Sequence, residues 1–213
     1  MRKHVFTNDE FYHIFNRGVE KRTIFIDKGD FERFIESMDV FNSVLPVGSL
    51  YEHAFTKNKL GGRTPKSLVN IICYCLNPNH YHLILKQLVD GGISEFMKRV
   101  AGGYTNYFNI RYKRNGVLYQ GKFKSEYIKS NEHLLHASAY VNLNNRVHQL
   151  QRTQIFSSWG EYSSNQEGGL CKRDVILDQF KNFAEYEEFA KSSLRDILER
   201  KELARELSNI LLE

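Results

Sequence analysis

Apolar residues recur along the chain at two periods, and the switches between them outline its elements. Residues 11–16 alternate in character and are rich in aromatics, which predicts a strand closed by Arg17-Gly18. Phe31, Phe34, Ile35, Met38 and Phe41 follow at helical spacing. A helix is therefore expected over residues 27–44, with Asp27 or Asp30 as its cap and Pro46 as its stop. Periodicity disappears over residues 46–67, where Pro46, Gly48, Gly61-Gly62 and Pro65 indicate a surface loop. Residues 68–76 form a near-continuous apolar run suited to a central strand. Pro78-Asn79 is a turn signal, so residues 80–86 should form a second strand, antiparallel to the first.

Gly91-Gly92 interrupts the chain, and Ser94 is placed to cap a helix running to about residue 111. That helix carries Phe96, Val100, Tyr104, Tyr107 and Phe108. Gly102-Gly103 inside it costs roughly 1 kcal/mol per glycine relative to alanine, which points to a close approach of another segment. After the turn signal Asn115-Gly116, residues 117–120 and 123–128 read as a strand or ribbon. Asn131 is positioned to cap the next helix, which holds Leu134, Leu135, Ala139 and Val141 and runs to about His148. An irregular aromatic segment (157–162) and a linker rich in Ser, Gly and Asn (163–169) lead to helical stretches at 186–198 and 201–212.

This order is α+β. The economical architecture is ferredoxin-like (RRM-like): an antiparallel sheet with helices packed on one face, plus a small C-terminal helical appendage. Residues 1–162 are expected to form the main domain and residues 163–213 an acidic helical extension.

Composition narrows the function. Hydrophobic content of 41% and charged content of 26% are ordinary for a soluble globular chain. No apolar run is long enough for a membrane span, and the N-terminal residues lack the apolar stretch of a signal peptide. Three cysteines give no disulfide framework, so a cytoplasmic location is expected. The net charge of +5 is unevenly spread. Residues 1–160 hold 22 Lys+Arg against 13 Asp+Glu, and residues 161–213 hold 8 against 12. The basic part is where an anionic polymer would bind.

Lys98, Arg99, Arg111, Lys113, Arg114, Lys122, Lys124 and Lys129 face a single acid, Glu126, over one segment, interleaved with Tyr104, Tyr107, Tyr112, Tyr119 and Tyr127. Cations that track phosphates and aromatic faces that stack bases suit single-stranded nucleic acid. Phe108 and Phe123 suit the core better. On a strand, His80 and His82 point out of the same face and supply two thirds of a metal site. Cys73 and Cys75 nearby lack zinc-ligand spacing and sit among apolar residues, which favours a core role. His136, Tyr140, Asn144 and His148 share one face of the later helix, and the amide oxygen of Asn144 is able to complete a site with the two histidines. His13, near the end of the first strand, is able to join the site, but a structural or groove role is the favoured assignment.

These residues carry a resemblance. Pro78-Asn79-His80-Tyr81-His82 resembles the P-N-H-x-H strand of HUH-type tyrosine transposases of single-stranded DNA, the REP-associated tyrosine transposases and their insertion-sequence relatives in particular. Gly116 to Ser125, with Leu118-Tyr119-Gln120 and Lys122-Phe123-Lys124, is similar to that group's G-x-L-[WYF]-Q-x-R/K-[FY]-K-S segment. Tyr140-Val141-Asn142-Leu143-Asn144 resembles its Y-[IV]-x-x-N helix motif. Coverage runs from about residue 11 to 162, and the motifs follow the family's order.

The resemblance implies metal-dependent cleavage and rejoining of hairpin-bearing single-stranded DNA through a 5′-phosphotyrosine, that is, DNA transposition. Tyr140 would be the nucleophile, and His80, His82 and Asn144 the ligands of Mg²⁺ or Mn²⁺. His136 is a candidate assisting base on position alone. Lys98, Arg99, Arg111, Lys113, Arg114, Tyr119, Gln120, Lys122 and Lys124 would contact DNA. The lack of a phosphate-binding G-x-x-x-x-G-K-[ST] loop agrees with chemistry that needs no ATP. One departure is Asn145, where the family usually has proline; altered docking of the following segment is expected. A non-catalytic binder of DNA or RNA hairpins is the alternative. Monomer and homodimer are both compatible with the sequence.

Overall fold

The computed structural model describes residues 5–52, 66–147, 156–164 and 168–210. Most of the 46–67 loop, His148 at the expected helix end, and the tail after residue 210 lie outside the described residues.

Five strands form one antiparallel sheet in the order β4-β1-β3-β2-β5. They are β1 (Phe11–Arg17), β2 (Val69–Asn77), β3 (His80–Gln87), β4 (Lys124–Tyr127) and β5 (Phe156–Ser157). The first four, in the order 4-1-3-2, give the α+β, ferredoxin-like plan read from the sequence. The two-residue Pro78-Asn79 connection sets the β2–β3 register, in which Asn77 pairs with His80 and Cys75 with His82. On the other side of β3, Phe15 pairs with His82 and His13 with Ile84.

Helices α1 (Lys28–Val40) and α2 (Gly92–Arg111) pack together on one face. A capping box starts α1: the Asp27 side chain accepts from the Asp30 amide, and the Asp30 side chain accepts from the Asp27 amide. Phe34 bridges the layers, with its ring 5.3 Å from Tyr81 on β3 and 5.2 Å from Tyr104 on α2. Helix α2 begins at Gly92 behind a left-handed Gly91, earlier than the Ser94 cap expected.

One of its two internal glycines meets the expected close approach. A β-carbon on Gly103 would lie 3.1 Å from the Phe41 ring, whereas one on Gly102 would meet open space. Gly102→Ala should therefore stabilise the protein by about 1 kcal/mol, read as a raised midpoint in urea, and Gly103→Ala should not.

Helix α3 (Asn131–Asn142) lies across the opposite face, against β2 and β3. Its cap is Ser130, whose hydroxyl accepts from the His133 amide, in place of the expected Asn131. Behind α3 runs α4 (Phe183–Ile210), one continuous helix where the sequence suggested two stretches. Tyr186 of α4 is fully buried, and its hydroxyl accepts from Asn142 Nδ2 at 2.9 Å and lies 3.2 Å from Ser138 Oγ. The Ser158 hydroxyl donates to Asn142 Oδ1 at 2.6 Å and accepts from the Tyr74 amide of β2 at 2.9 Å. This chain of polar contacts ties α3 to the sheet in front and to α4 behind. Tyr162, Cys171, Ile176, Tyr186, Ala190 and Leu194 join the main core, so residues beyond 162 pack as part of it.

Candidate active site

The alternation of β3 settles where its histidines point. Tyr81, Leu83 and Leu85 turn toward α1 and α2, and His80 and His82 turn toward α3. Loop contacts build a rim beside them. Gly18 N donates to the Asn79 carbonyl at 2.8 Å, Val19 N to Leu118 at 3.0 Å and Gln120 N to Arg17 at 2.9 Å. A β-carbon on Gly18 would fall 2.2 Å from the Arg22 carbonyl oxygen, so only glycine allows this turn. The segment around Leu118 to Gly121 is thereby laid along the end of β1, where the Arg17 guanidinium bonds the Gln120 carboxamide. Asn16 Nδ2 donates to the Gly121 carbonyl at 3.1 Å.

Tyr140 on α3 meets the imidazoles edge-on. Its ring centroid is 5.6 Å from His82 at 83° and 6.1 Å from His13 at 80°. The His80 and His82 rings are 5.2 Å apart and perpendicular. Helix α3 stops at Asn142, Leu143 leaves helical geometry, and Asn144 starts a separate turn, Asn144–Val147. That break turns the Asn144 amide into the sheet, where Oδ1 lies 3.3 Å from His80 Nε2 and accepts from Asn77 Nδ2 at 2.8 Å. His80 Nδ1 is 2.6 Å from Asn79 Oδ1, an acceptor, and its Nε2 is 2.9 Å from Asn77 Nδ2, a donor, which together favour the proton on Nδ1 and a lone pair on Nε2. A cavity of about 560 Å³ opens over these groups, lined by Phe15, Arg17, Lys21, His80, Lys124 and Tyr140 among others.

Burial sets the local electrostatics. It lowers His13 to about 4, with His133 adding to the effect, so this imidazole is neutral at physiological pH. Burial also raises the Tyr140 phenol above its ordinary value, while the Asn144 amide beside it pulls the other way. The Cys75 thiol is pushed up to about 12 by burial, and Cys73 well above its usual value. Both are core residues, as their apolar neighbours in the sequence indicate.

The structure brings His80, His82, Tyr140, Asn144, Gln120 and Lys124 together and places the other expected residues elsewhere. His136 is turned to α4, with Nδ1 2.9 Å from Ser193 Oγ and its ring 5.0 Å from Phe189, and it does not line the cavity. Spacing by four along a helix cannot tell a face meeting the sheet from one meeting a second helix. Tyr119 is buried edge-on to Tyr81 at 5.7 Å, under the rim. Arg111 is held by Asp27 and Asp30, and Arg99 by Glu95 and the Ser43 carbonyl. Lys98 pairs with the same Glu95 at 3.5 Å. Arg114 bonds Asn109 Oδ1 and lies over the Phe108 ring; Lys113 and Lys122 are exposed.

Sequence reasoning missed Arg17 and Lys21 as cations of this cavity, and Asn77 and Asn79 as neighbours of the imidazoles; His13, given a structural or groove role, stands against His82. Arg17 and His13 belong to the β1 alternation, which was legible; their partners lie across sheet neighbours distant in sequence and were not.

Two imidazoles and an amide oxygen fit a divalent ion of borderline or hard character. Among the described residues no group of three or more His, Cys, Asp or Glu converges, so a cation here would rest on His80, His82 and Asn144. No described helix is long and apolar enough to cross a membrane.

Residues 54–144 match the family model described as "Transposase IS200 like", a stretch that includes His80, His82, Tyr140 and Asn144. No curated protein matches the chain. A solved structure titled "Structure of the REP associates tyrosine transposase bound to a REP hairpin" is similar at 12% identity. The similarity covers 80% of this chain and 88% of that one, with a TM-score of 0.49.

Proposed function

We propose that this chain, with its IS200-like transposase segment, cleaves and rejoins single-stranded DNA with Tyr140 as nucleophile. The observation that carries the reading is the edge-on approach of the Tyr140 ring to His82, at 5.6 Å, inside a cavity that cations also line. Tyr140 Oη attacks a backbone phosphorus, the P–O3′ bond breaks, and the products are a 5′-phosphotyrosine and a free 3′-hydroxyl. The phenol gives up its proton before or as the O–P bond forms, and the departing 3′-oxygen takes up a proton. A 3′-hydroxyl from another strand reverses the step, so the number of phosphoester bonds is conserved and no nucleotide hydrolysis is required.

His80, His82 and Asn144 would hold Mg²⁺ or Mn²⁺, which when bound offsets charge on the phosphate and orients it for in-line attack. Arg17, Lys21 and Lys124 draw the phosphodiester into the cavity, and the Gln120 contact fixes the Arg17 guanidinium at its mouth. Phe15 lines the same wall and offers an apolar face to an unpaired base. A flexible single strand, or one flanking a hairpin, reaches these groups more easily than a stiff duplex.

The experiment is an SDS-resistant adduct between the protein and a hairpin-bearing oligonucleotide in Mn²⁺ or Mg²⁺, with a chelator as control. Metal-dependent adduct supports strand cleavage. Tight retention of the DNA without adduct, with or without the ion, sinks the catalytic reading and leaves a hairpin-binding protein.

The cations also divide into two classes. Lys124 lines the cavity and has no acidic partner among the described residues, whereas Lys98 is paired on α2. Lys124→Ala should weaken single-stranded DNA binding severalfold and lower its salt slope by about 0.7, the change expected when one phosphate is no longer neutralised. Lys98→Ala should leave both within error. Fluorescence anisotropy over a salt series reads the difference.

A further inference from the structure

His13 lies outside every motif that carries the transposase resemblance, yet it makes a close nitrogen–nitrogen contact to an imidazole of the site. Its Nε2 is 2.8 Å from His82 Nδ1, with the ring planes 22° from parallel and 5.1 Å between centroids. The contact is built into the β1–β3 pairing. Phe15 stands opposite His82, which makes His13 the diagonal neighbour on the same face of the sheet. Phe15 also stacks on the His82 ring at 5.7 Å and 23°, so the imidazole is held on its face and at one nitrogen.

Only one proton fits between the two nitrogens. If His13 Nε2 held it, His82 would carry its own proton on Nε2 and present no lone pair there. If His82 Nδ1 holds it, the remaining proton of His13 sits on Nδ1. The Glu126 carboxylate faces that atom at 4.0 Å, and Glu126 is the direct cross-strand partner of His13 on β4. A carboxylate accepts and cannot donate, so the second arrangement is the one its position favours. His80 is fixed in the same sense by Asn79 Oδ1 on its Nδ1.

We propose that His13 is a positioning residue: it accepts a hydrogen bond from His82 Nδ1–H, with the Glu126 carboxylate facing its other nitrogen, and so presents the lone pair of His82 Nε2 to a divalent cation. The proposal rests on the site reading above for what Nε2 is used for, but the tautomer it assigns to His82 is a property of the metal-free protein. Groups that orient a ligating imidazole in this way are typically worth about ten- to a hundredfold in metal affinity.

The test uses the full chain, labelled with ¹⁵N, and two-bond ¹H–¹⁵N spectra of its histidine rings without metal, followed by Mn²⁺ titration monitored by electron paramagnetic resonance. In the unsubstituted protein His82 should appear as the Nδ1–H tautomer. His13→Gln, whose carboxamide oxygen still accepts, should keep that tautomer and bind Mn²⁺ within about threefold of the parent. His13→Phe should give a mixed or Nε2–H tautomer and bind Mn²⁺ about ten- to a hundredfold more weakly. Thermal melts of both variants report folding, and the glutamine rescue separates orientation from general packing. An Nε2–H tautomer in the parent, or parental tautomer and affinity in His13→Phe, overturns the proposal. Loss of affinity in both variants also overturns it, because simple disruption then explains the result. If His80→Ala and His82→Ala bind Mn²⁺ like the parent, the metal-site reading fails instead, and the tautomer spectrum still decides the role of His13.

Discussion

Tyr140→Phe should abolish the covalent DNA adduct, lowering its rate of formation by more than about a thousandfold, while leaving the fold and DNA retention intact. The phenylalanine ring keeps the edge-on contacts at 5.6 Å to His82 and 6.1 Å to His13, and only the attacking oxygen is removed. Among the described residues, no other side chain that lines the cavity is a hydroxyl or thiol to take its place. Denaturing gels of protein with labelled hairpin oligonucleotide read the adduct, and a melt within about 2 °C of the parent shows that folding is preserved. Retained adduct in this variant sinks the mechanism.

The same hydroxyl fixes a pH dependence. Burial raises its ionisation above the ordinary tyrosine value, so the neutral phenol dominates at pH 7 and the ionised fraction grows with pH. If the phenolate attacks, adduct formation should accelerate roughly tenfold per pH unit between about 7 and 9. A flat profile would instead assign proton removal to a group acting during the attack.

Asp30→Ala should be the most destabilising single substitution on the α1–α2 side, and it should spare the chemistry. Asp30 is 0% exposed and serves five donors. Its oxygens accept from the Ile26 amide at 2.7 Å, the Tyr112 hydroxyl at 2.8 Å and the Tyr107 hydroxyl at 3.2 Å, and from the Asp27 amide and Arg111 as well. Removing the carboxylate ends the capping box and leaves several partly buried donors without their acceptor, at a cost of about 2 kcal/mol or more. Arg111 keeps Asp27 and reaches water, so its own loss should be milder. Urea unfolding of Asp30→Ala and Arg111→Ala tests the ranking. Equal midpoints for the two would refute the assignment of Asp30 as the hub.

The contrast between Asp30 and Arg111 also shows where sequence reading stops. Local patterns carried much of the fold. The alternation of β1, the Pro78-Asn79 turn and the spacing of Phe31, Phe34 and Met38 each depend on neighbours within a few residues, and each matches an observed element. The shared face of His80 and His82 follows from strand geometry alone. Whether a cation is free is a different kind of question. Arg111 looked available because its partners lie 81 and 84 residues away, in a helix cap. His136 shares a helical stripe with Tyr140, but its environment is decided by Ser193, 57 residues on. His13 has the right parity for the site face, and nothing local tells that His82, 69 residues away, is its partner. The exit of α3 at Leu143 was equally hidden, because no glycine or proline marks it.

The buried join between Tyr186 and the helix of Tyr140 has a consequence for synthesis. A ribosome adds Tyr186 48 residues after Ser138, so the sheet and its imidazoles emerge well before the brace behind the helix of Tyr140. A nascent chain thus passes through a stage that displays His80 and His82 without a firmly seated Tyr140 hydroxyl. If Tyr140 is the nucleophile proposed above, adduct formation should depend on delivery of the C-terminal helix, and a chain truncated before Tyr186 should form little of it.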